Sequence, residues 1–178
     1  MSKIENDLKA RYDIQIIIIH WLSFLLIAAL VPTGKILHET EVVSEKMLLY
    51  KIHILVGILV FVMTIYRSYL FFSKPRPRRL DMGLSIHNTL VLWVQRFFYI
   101  AMLILGISGL VVISTNGIGV AVLQNNINAL PAKVDSEIFE VHEFAVNALI
   151  LLFFAHVGGV VLHYYRHKEN VLQRIFFN

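Results

Sequence analysis

The last apolar segment of the chain, from Phe139 to Tyr165, constrains the fold most strongly. A helix of this length, rising about 1.5 Å per residue, crosses a hydrocarbon layer about 30 Å thick, and in lipid the backbone must satisfy its own hydrogen bonds. The segment carries His142, His156 and His163. Because a helix turns about 100° per residue, the first two imidazoles share one face and lie about 21 Å apart along the axis.

The composition extends this membrane assignment to the whole chain. Of the 178 residues, 57% are hydrophobic and 16% are charged, whereas a soluble domain carries about 25% charged residues. We therefore predict a single all-α membrane domain, a four-transmembrane-helix bundle, with spans at 14–34, 47–72, 93–113 and 139–165. Pro32 and Gly34 predict the end of the first span. We expect no cleavable leader, because the first apolar run is too long for a signal-peptide core.

The distribution of lysine and arginine predicts the orientation. Ten lie near the two termini and between the second and third spans: Lys3, Lys9, Arg11, Lys74, Arg76, Arg78, Arg79, Arg166, Lys168 and Arg174. Four lie in and beside the other two connections: Lys35, Lys46, Lys51 and Lys133. Because cytoplasmic loops collect positive charge, we predict that both termini are cytoplasmic. The net charge of +4 follows this topology and indicates no nucleic-acid partner.

Four antiparallel spans assign a depth to each histidine within them. His20 lies near the start of the first span, on the inner side, and His53 lies near the start of the second, on the outer side. The fourth span runs from the outer to the inner side, so His142 lies nearer the outer side and His156 lies nearer the inner side. We therefore expect His53 to face His142 and His20 to face His156.

Such pairs suit haem chemistry. Two imidazoles that face each other across a bundle can fill both axial positions of a haem iron, which then passes electrons and has no open position for oxygen. A zinc or di-iron site is the alternative, but those sites recruit carboxylates or more imidazoles at one depth. Cysteine is absent, which excludes iron–sulfur clusters and thiolate ligands. The residues alone thus indicate paired histidines at two depths.

Several motifs resemble the bacterial cytochrome b561 family, the small four-helix dihaem type, over essentially the whole chain. They are the HW pair at His20–Trp21, KIHILVG around His53 followed by Arg67, the HE pair at His142–Glu143, and AHVGGVVLHYYRHKENVLQRI around His156 and His163. The chain departs from the family at Gln95–Arg96, where members often carry a histidine-containing pair.

The resemblance implies two haem b groups ligated by His20, His53, His142 and His156, and electron exchange with ubiquinone or another membrane quinone. One family member is described as oxidising superoxide at the outer face and reducing ubiquinone. The leading expectation is therefore an oxidoreductase of the bacterial inner (plasma) membrane with superoxide as the donor. The sequence leaves the oligomeric state open.

Two alternatives stand beside this expectation. The first is a haem-bearing membrane anchor and electron-relay subunit for a soluble redox protein, which would dock on the long connection at 114–137. The second is a haem-free transporter or metal permease that uses the histidines as a pathway.

Three further residues are candidate contacts to the cofactor or the quinone. Arg67 and Arg96 lie in or beside apolar spans, where a charge is costly unless it meets an anion, such as a haem propionate, or reaches the interface. His163 follows His156 by seven residues and shares its face. It would contact a propionate or a quinone carbonyl, or else be an interfacial histidine satisfied by water.

Five glycines within the spans would give space for a macrocycle or serve as ordinary helix-packing positions. They are Gly57, Gly106, Gly109, Gly158 and Gly159. No ligand role is expected for His38, His87 or His167.

Overall fold

The fold is all-helical across the described part of the chain. The computed structural model describes residues 10–75, 77 and 85–176, without the side chains of residues 43 and 85–88. The elements are α1 (Ile14–Glu39), α2 (Val43–Ser73), α3 (Ser85–Thr115), the short α4 (Ile118–Leu123) and α5 (Glu137–His167), with 3₁₀ turns at Ile127–Ala129 and Val171–Arg174. Helices α1, α2, α3 and α5 are long and apolar enough to cross a membrane, which confirms the predicted four-helix membrane architecture.

The orientation stays a prediction. Five of the cations that support it, Lys3, Lys9, Arg76, Arg78 and Arg79, lie outside the described residues, as does the side chain of His87. The two ends of the bundle are therefore named here by their chain segments. The termini end holds residues 10–13, 74–75 and 168–176, and the loop end holds residues 40–42 and 116–136.

The bundle core is filled by side chains, rather than by close backbone packing, on the side where α5 faces α1 and α2. Helix α1 packs on α2, α2 on α3, and α3 on α5, the last pair being the most extensive. The backbones of α1 and α5, and of α2 and α5, approach each other less than any of these pairs. The outer faces are apolar and exposed, with only 11–22% of each span's most apolar window buried. Lipid can solvate such a surface, whereas water would drive it to associate.

Helix α1 runs past Pro32 and Gly34, the residues at which the sequence predicts the end of the first span. The helix continues to Glu39, and its C-cap is Thr40. The backbone N–H of Thr40 donates to the carbonyl of Ile36 at 2.9 Å, and its hydroxyl donates to the same oxygen at 2.6 Å.

Thr33 lies at the point where proline disturbs α1. Pro32 has no N–H, so one helical hydrogen bond is lost there. The Thr33 hydroxyl lies 2.9 Å from both the Ala29 and the Leu30 carbonyl oxygens and donates to this turn. Hydroxyl side chains and neighbouring helices make proline tolerable in membrane helices in this way. Gly34 is therefore a helix-interior residue whose position faces the bundle.

The C-terminal segment folds back over the start of α1. Arg174 is buried, and its Nε donates to the carbonyl of Ala10 at 3.2 Å. The backbone N–H of Tyr12 donates to the carbonyl of Arg174 at 3.2 Å, and the indole N–H of Trp21 donates to the carbonyl of Ile175 at 2.7 Å. These bonds fix the segment at the termini end.

Asp13 ties the start of α1 to the end of α2. Its carboxylate accepts from the backbone N–H of Gln15 at 2.9 Å and pairs with the ammonium of Lys74 at 3.2 Å. The Gln15 amide first, and then Lys74, hold the pKa of Asp13 below its usual value of 3.8. The contacts of the Asp13 carboxylate with Gln15 and Lys74 therefore stabilise the fold above pH 3.8. This stabilisation is lost as the pH falls through the lowered pKa.

The connection at the loop end is a folded cap. Buried apolar side chains join α4 to the helices beneath it: Leu37, Tyr50, Val112, Ile118 and Val134. The ammonium of Lys46 donates to the carbonyl of Ala132 at 2.8 Å, and that of Lys51 donates to the side-chain oxygen of Asn125 at 2.6 Å. The long connection is thus anchored to α2 by packing and by two lysines.

Gly106 gives a first test of the packing, because a Cβ at this position would overlap the ring of Phe61 on α2. We expect Gly106→Ala to lower the free energy of unfolding by about 1–3 kcal/mol, the usual cost of overpacking, measured by thermal unfolding in detergent. Gly57→Ala is the control, since its Cβ would meet no atom within 4 Å. Equal midpoints for the two variants would contradict the close approach of α2 and α3.

Candidate functional site

Four of the histidines within the spans lie as two pairs at two levels of the bundle. The ring centroids of His20 and His156 are 6.5 Å apart, with an angle of 61° between the ring planes. His53 and His142 are close enough to interact electrostatically. We call His20 and His156 the termini-side pair, and His53 and His142 the loop-side pair.

The distance between the two rings of the termini-side pair suits ligation of a single iron. With metal–imidazole bonds of about 2.0–2.1 Å and about 1.2 Å more from nitrogen to ring centroid, two axial imidazoles have centroids about 6.4–6.6 Å apart. The 6.5 Å between His20 and His156 falls in this interval. The residues present therefore fit a bis-histidine haem iron.

A hydroxyl on α3 orients His142. The Nδ1 atom of His142 lies 2.9 Å from Oγ of Ser108, and this hydroxyl lies 3.3 Å from the carbonyl oxygen of Leu105, to which it donates. With its hydrogen donated to Leu105, Oγ has lone pairs that can accept the N–H of Nδ1. The proton is then on Nδ1 and the lone pair is on Nε2, the state of a histidine that binds a metal through Nε2.

His53 has a similar partner on α1. Its Nδ1 lies 3.4 Å from Oγ1 of Thr33, whose hydrogen is already donated to the helix backbone. A Cβ at Gly34 would come within 3.0 Å of Cε1 of His53, so the absence of a side chain lets α1 approach this ring. Both residues of the loop-side pair therefore face a hydroxyl that can accept from Nδ1.

The termini-side pair has a different neighbour. The Nη2 atom of Arg67 lies 3.3 Å from Nδ1 of His20, and the guanidinium lies 5.9 Å from the ring centroid of Tyr99. On the other ring, Phe98 packs edge-on against His156 with centroids 5.7 Å apart. Arg67, expected at a propionate or at the interface, thus lies directly beside a candidate ligand.

Arg96 has an interfacial arrangement. Its side chain is exposed, and the guanidinium lies 5.2 Å from the ring centroid of Trp93. A cation over an aromatic ring is typical of residues that lie at a membrane surface. This contact favours the interface alternative for Arg96 over a propionate contact.

His163 is buried and paired with a carboxylate. Its side chain is 1% exposed, and Nε2 lies 3.0 Å from Oε2 of Glu169. The ring stacks on His167 with centroids 4.9 Å apart. His163 is therefore held by a carboxylate of the C-terminal segment. No sequence motif indicates this role for Glu169.

The five glycines considered as cofactor space fall into different classes. Gly106 is a packing position against Phe61, whereas a Cβ at Gly109 would lie 3.4 Å from Cε1 of His142. At Gly57, Gly158 and Gly159 a Cβ would meet no protein atom within 4 Å. Gly109 and the previously unassigned Gly34 are therefore the glycines that border a candidate ligand.

The donor set matches the needs of a haem iron. Within the described residues, no three side chains of His, Asp or Glu converge in a way that could hold a metal ion. A bis-histidine pair supplies only two ligands, and a haem macrocycle supplies the remaining four.

The comparison with known families decides the class of protein. A family model described as prokaryotic cytochrome b561 matches residues 11–178, which is nearly the whole chain. The chain belongs to the prokaryotic cytochrome b561 family. No curated protein matches it. This cytochrome is accordingly a multi-pass bacterial membrane protein that binds haem b and transfers electrons.

Family membership also bears on the alternatives. It confirms the resemblance seen in the HW, KIHILVG and HE motifs, and it favours a haem-binding protein over the haem-free transporter.

Ser108 provides a test of the loop-side pair of this cytochrome. We expect Ser108→Ala to weaken haem binding there by about 10–100-fold, the usual effect of removing a hydrogen bond to a metal-bound histidine. The measurement is the rate of haem transfer to excess apomyoglobin, followed by the Soret band.

Ser114→Ala is the matched control on the same helix, because its hydroxyl donates to the carbonyl of Leu110 at 2.7 Å. We expect its haem transfer rate to equal that of the unmodified protein. If the Ser108 variant lost haem no faster than this control, Ser108 would have no role in holding His142.

Proposed function

We propose that this cytochrome carries two haem b groups at different depths and moves electrons across the membrane between a donor and the quinone pool. The observation that carries the proposal is the 6.5 Å separation of the His20 and His156 rings, which suits one bis-histidine iron. The hydroxyl partners of His53 and His142 support a second haem at the other level.

Each residue of the two pairs has the same assigned task. In this proposal His20 and His156 would hold one haem, and His53 and His142 would hold the other. When bound, haem b would supply a one-electron Fe(III)/Fe(II) couple. The helices hold the imidazoles at fixed depth and keep water from the core.

The distribution of cations supports a membrane side for each end of the bundle. Arg166, Lys168 and Arg174 gather with Lys74 at the termini end, which supports a cytoplasmic termini end by the positive-inside rule. The loop-side pair would then lie towards the outer side of the inner membrane, and the termini-side pair towards the cytoplasm.

Superoxide is the donor that we propose for the outer side, and ubiquinone is the proposed acceptor. An anionic donor is attracted by positive charge, and Lys46 and Lys51 keep their charge although they donate to the neutral oxygens of Ala132 and Asn125. Carboxylates lie beside the loop-end lysines and offset this attraction: Glu39, Glu41, Glu45, Asp135 and Glu137. A soluble redox protein is the second candidate donor.

An exposed apolar edge of the loop-end cap favours this second candidate. Leu123 is 88% exposed and Val120 is 58% exposed, and both lie on α4. A soluble partner could dock there and use the cytochrome as its membrane anchor. Purification in mild detergent tests this version. A soluble redox protein should co-purify in stoichiometric amount with the unmodified cytochrome, and Leu123→Glu should abolish the co-purification.

We propose that His163 belongs to the quinone site. It lies two helical turns, about 10.5 Å, beyond His156 on the same face of α5, and it forms a buried pair with Glu169. A quinone takes up protons as well as electrons when it is reduced. An imidazole hydrogen-bonded to a carboxylate can donate such a proton and be reprotonated from the side that holds His167.

Haem content tests the ligand pairs. We expect two b haems per chain in the unmodified protein, by pyridine haemochrome and by a dithionite-minus-oxidised spectrum. His53→Ala and His156→Ala should each remove mainly one haem, because each deletes one axial ligand of a different pair. His38→Ala, an exposed histidine stacked on Phe139, should keep both. One haem that neither substitution affects would overturn the two-haem assignment.

The quinone assignment has its own test. We expect Glu169→Gln and His163→Gln to slow electron transfer from the reduced protein to a soluble ubiquinone analogue by at least about 100-fold, the usual contribution of a positioned proton donor. Haem content and reduction by dithionite should not change. His38→Gln is the control. A normal rate of quinone reduction in both variants would exclude this histidine from the quinone site.

A further inference from the structure

The two histidine pairs differ in the charge beside them. In the loop-side pair, the Nδ1 atoms face the neutral hydroxyls of Ser108 and Thr33. In the termini-side pair, Nδ1 of His20 faces the guanidinium of Arg67 at 3.3 Å. The same type of ligand therefore has an electrically different environment at the two levels.

Arg67 is a fixed positive charge at this position. A guanidinium stays protonated in proteins. Within the described residues, the recorded ion pairs join Lys74 to Asp13 and His163 to Glu169, so no described carboxylate neutralises Arg67. Its contact with the ring of Tyr99 holds the charge on the side of the bundle where His20 lies.

A guanidinium can only donate hydrogen bonds. When His20 binds iron through Nε2, its Nδ1 carries a hydrogen and cannot accept from Arg67. The guanidinium then acts on the site through its charge. In the low dielectric of a membrane bundle, this charge acts strongly over several ångströms.

The cation beside the termini-side pair and the hydroxyls beside the loop-side pair shift the reduction potential of a haem in opposite directions. A nearby cation disfavours the ferric state, which carries one more positive charge than the ferrous state, and so raises the reduction potential. A hydroxyl that accepts from Nδ1 makes the imidazole more basic and favours the ferric state. Hydrogen bonding, charge and burial are the means by which proteins set such potentials.

We propose that Arg67 sets the termini-side haem at a higher reduction potential than the loop-side haem, so that electrons move energetically downhill from the loop end to the termini end. This inference rests on the proposed two-haem function. It assigns Arg67 as a residue that tunes the cofactor through its charge, and it gives the electron pathway a direction.

A redox titration followed by visible spectroscopy tests the inference on the purified holoprotein. The His156→Ala variant, which lacks a termini-side ligand, identifies which of the two potentials belongs to which level. We expect the unmodified protein to show the higher potential at the termini-side haem. The reverse order would overturn the inference even if both haems were present.

Substitution of Arg67 supplies the second measurement. In Arg67→Gln we expect the equilibrium constant for reduction of the termini-side haem to fall at least tenfold, which is about 59 mV for a one-electron couple. Arg67→Lys keeps the charge and should restore most of the potential. The loop-side potential should change much less in both variants, because Arg67 contacts His20 and not the other pair.

Arg96→Gln is the matched control, because Arg96 is exposed and lies over Trp93. We expect it to change neither potential. An unchanged potential in Arg67→Gln, as would follow if a haem propionate cancelled the charge, would overturn the inference. A higher potential of the termini-side haem in Arg67→Gln would also overturn the inference, because it would mean that Arg67 stabilises a deprotonated His20.

These outcomes separate the inference from the function on which it rests. Loss of the two-haem spectrum in the unmodified protein would overturn the proposed function itself. Two haems with potentials that do not depend on Arg67 would leave that function intact and overturn only the tuning role. If Arg67→Gln failed to bind haem, Arg67→Lys and the order of potentials in the unmodified protein would still decide the question.

Discussion

The need of the backbone to satisfy its own hydrogen bonds in lipid is the constraint on which the rest of this structure depends. It makes each apolar run a continuous helix, and a helix fixes the depth of every residue to about 1.5 Å per position. His142 and His156 on α5 are consequently held at two levels of one face. The other helices need to bring only one histidine to each level, which α1 and α2 do with His20 and His53.

The same constraint explains why polar side chains near the histidines have two functions. Thr33 donates to the backbone of α1 beside Pro32 and also lies 3.4 Å from Nδ1 of His53. Ser108 donates to Leu105 and lies 2.9 Å from Nδ1 of His142. In a core without water, a hydroxyl whose hydrogen is bonded to its own helix still has lone pairs for an imidazole N–H. The same hydroxyl groups thus bond to the helix backbone and orient the imidazoles.

The C-terminal segment links the end of α5 to the start of α1. The bond of Trp21 to Ile175 and that of Arg174 to Ala10 position the loop that carries Glu169 against His163. The buried pair therefore depends on a tail that follows the last span. Beside His20, Arg67 adds a positive charge that no described carboxylate neutralises, so the two histidine pairs differ in the charge next to them.

The sequence by itself determined the four helices and the pairing of His20 with His156 and of His53 with His142, because apolar length, histidine spacing and antiparallel topology are properties of the linear pattern. The family was indicated by the resemblance of its motifs and is shown by the family model. Only the tertiary structure decided that α1 continues past Pro32, that Thr33, Gly34 and Ser108 border the ligands, and that His163 is bound by Glu169. Contacts between helices depend on axial rotation and on side chains of neighbouring segments. The periodicity of a single helix specifies neither its axial rotation in the bundle nor the side chains that face it.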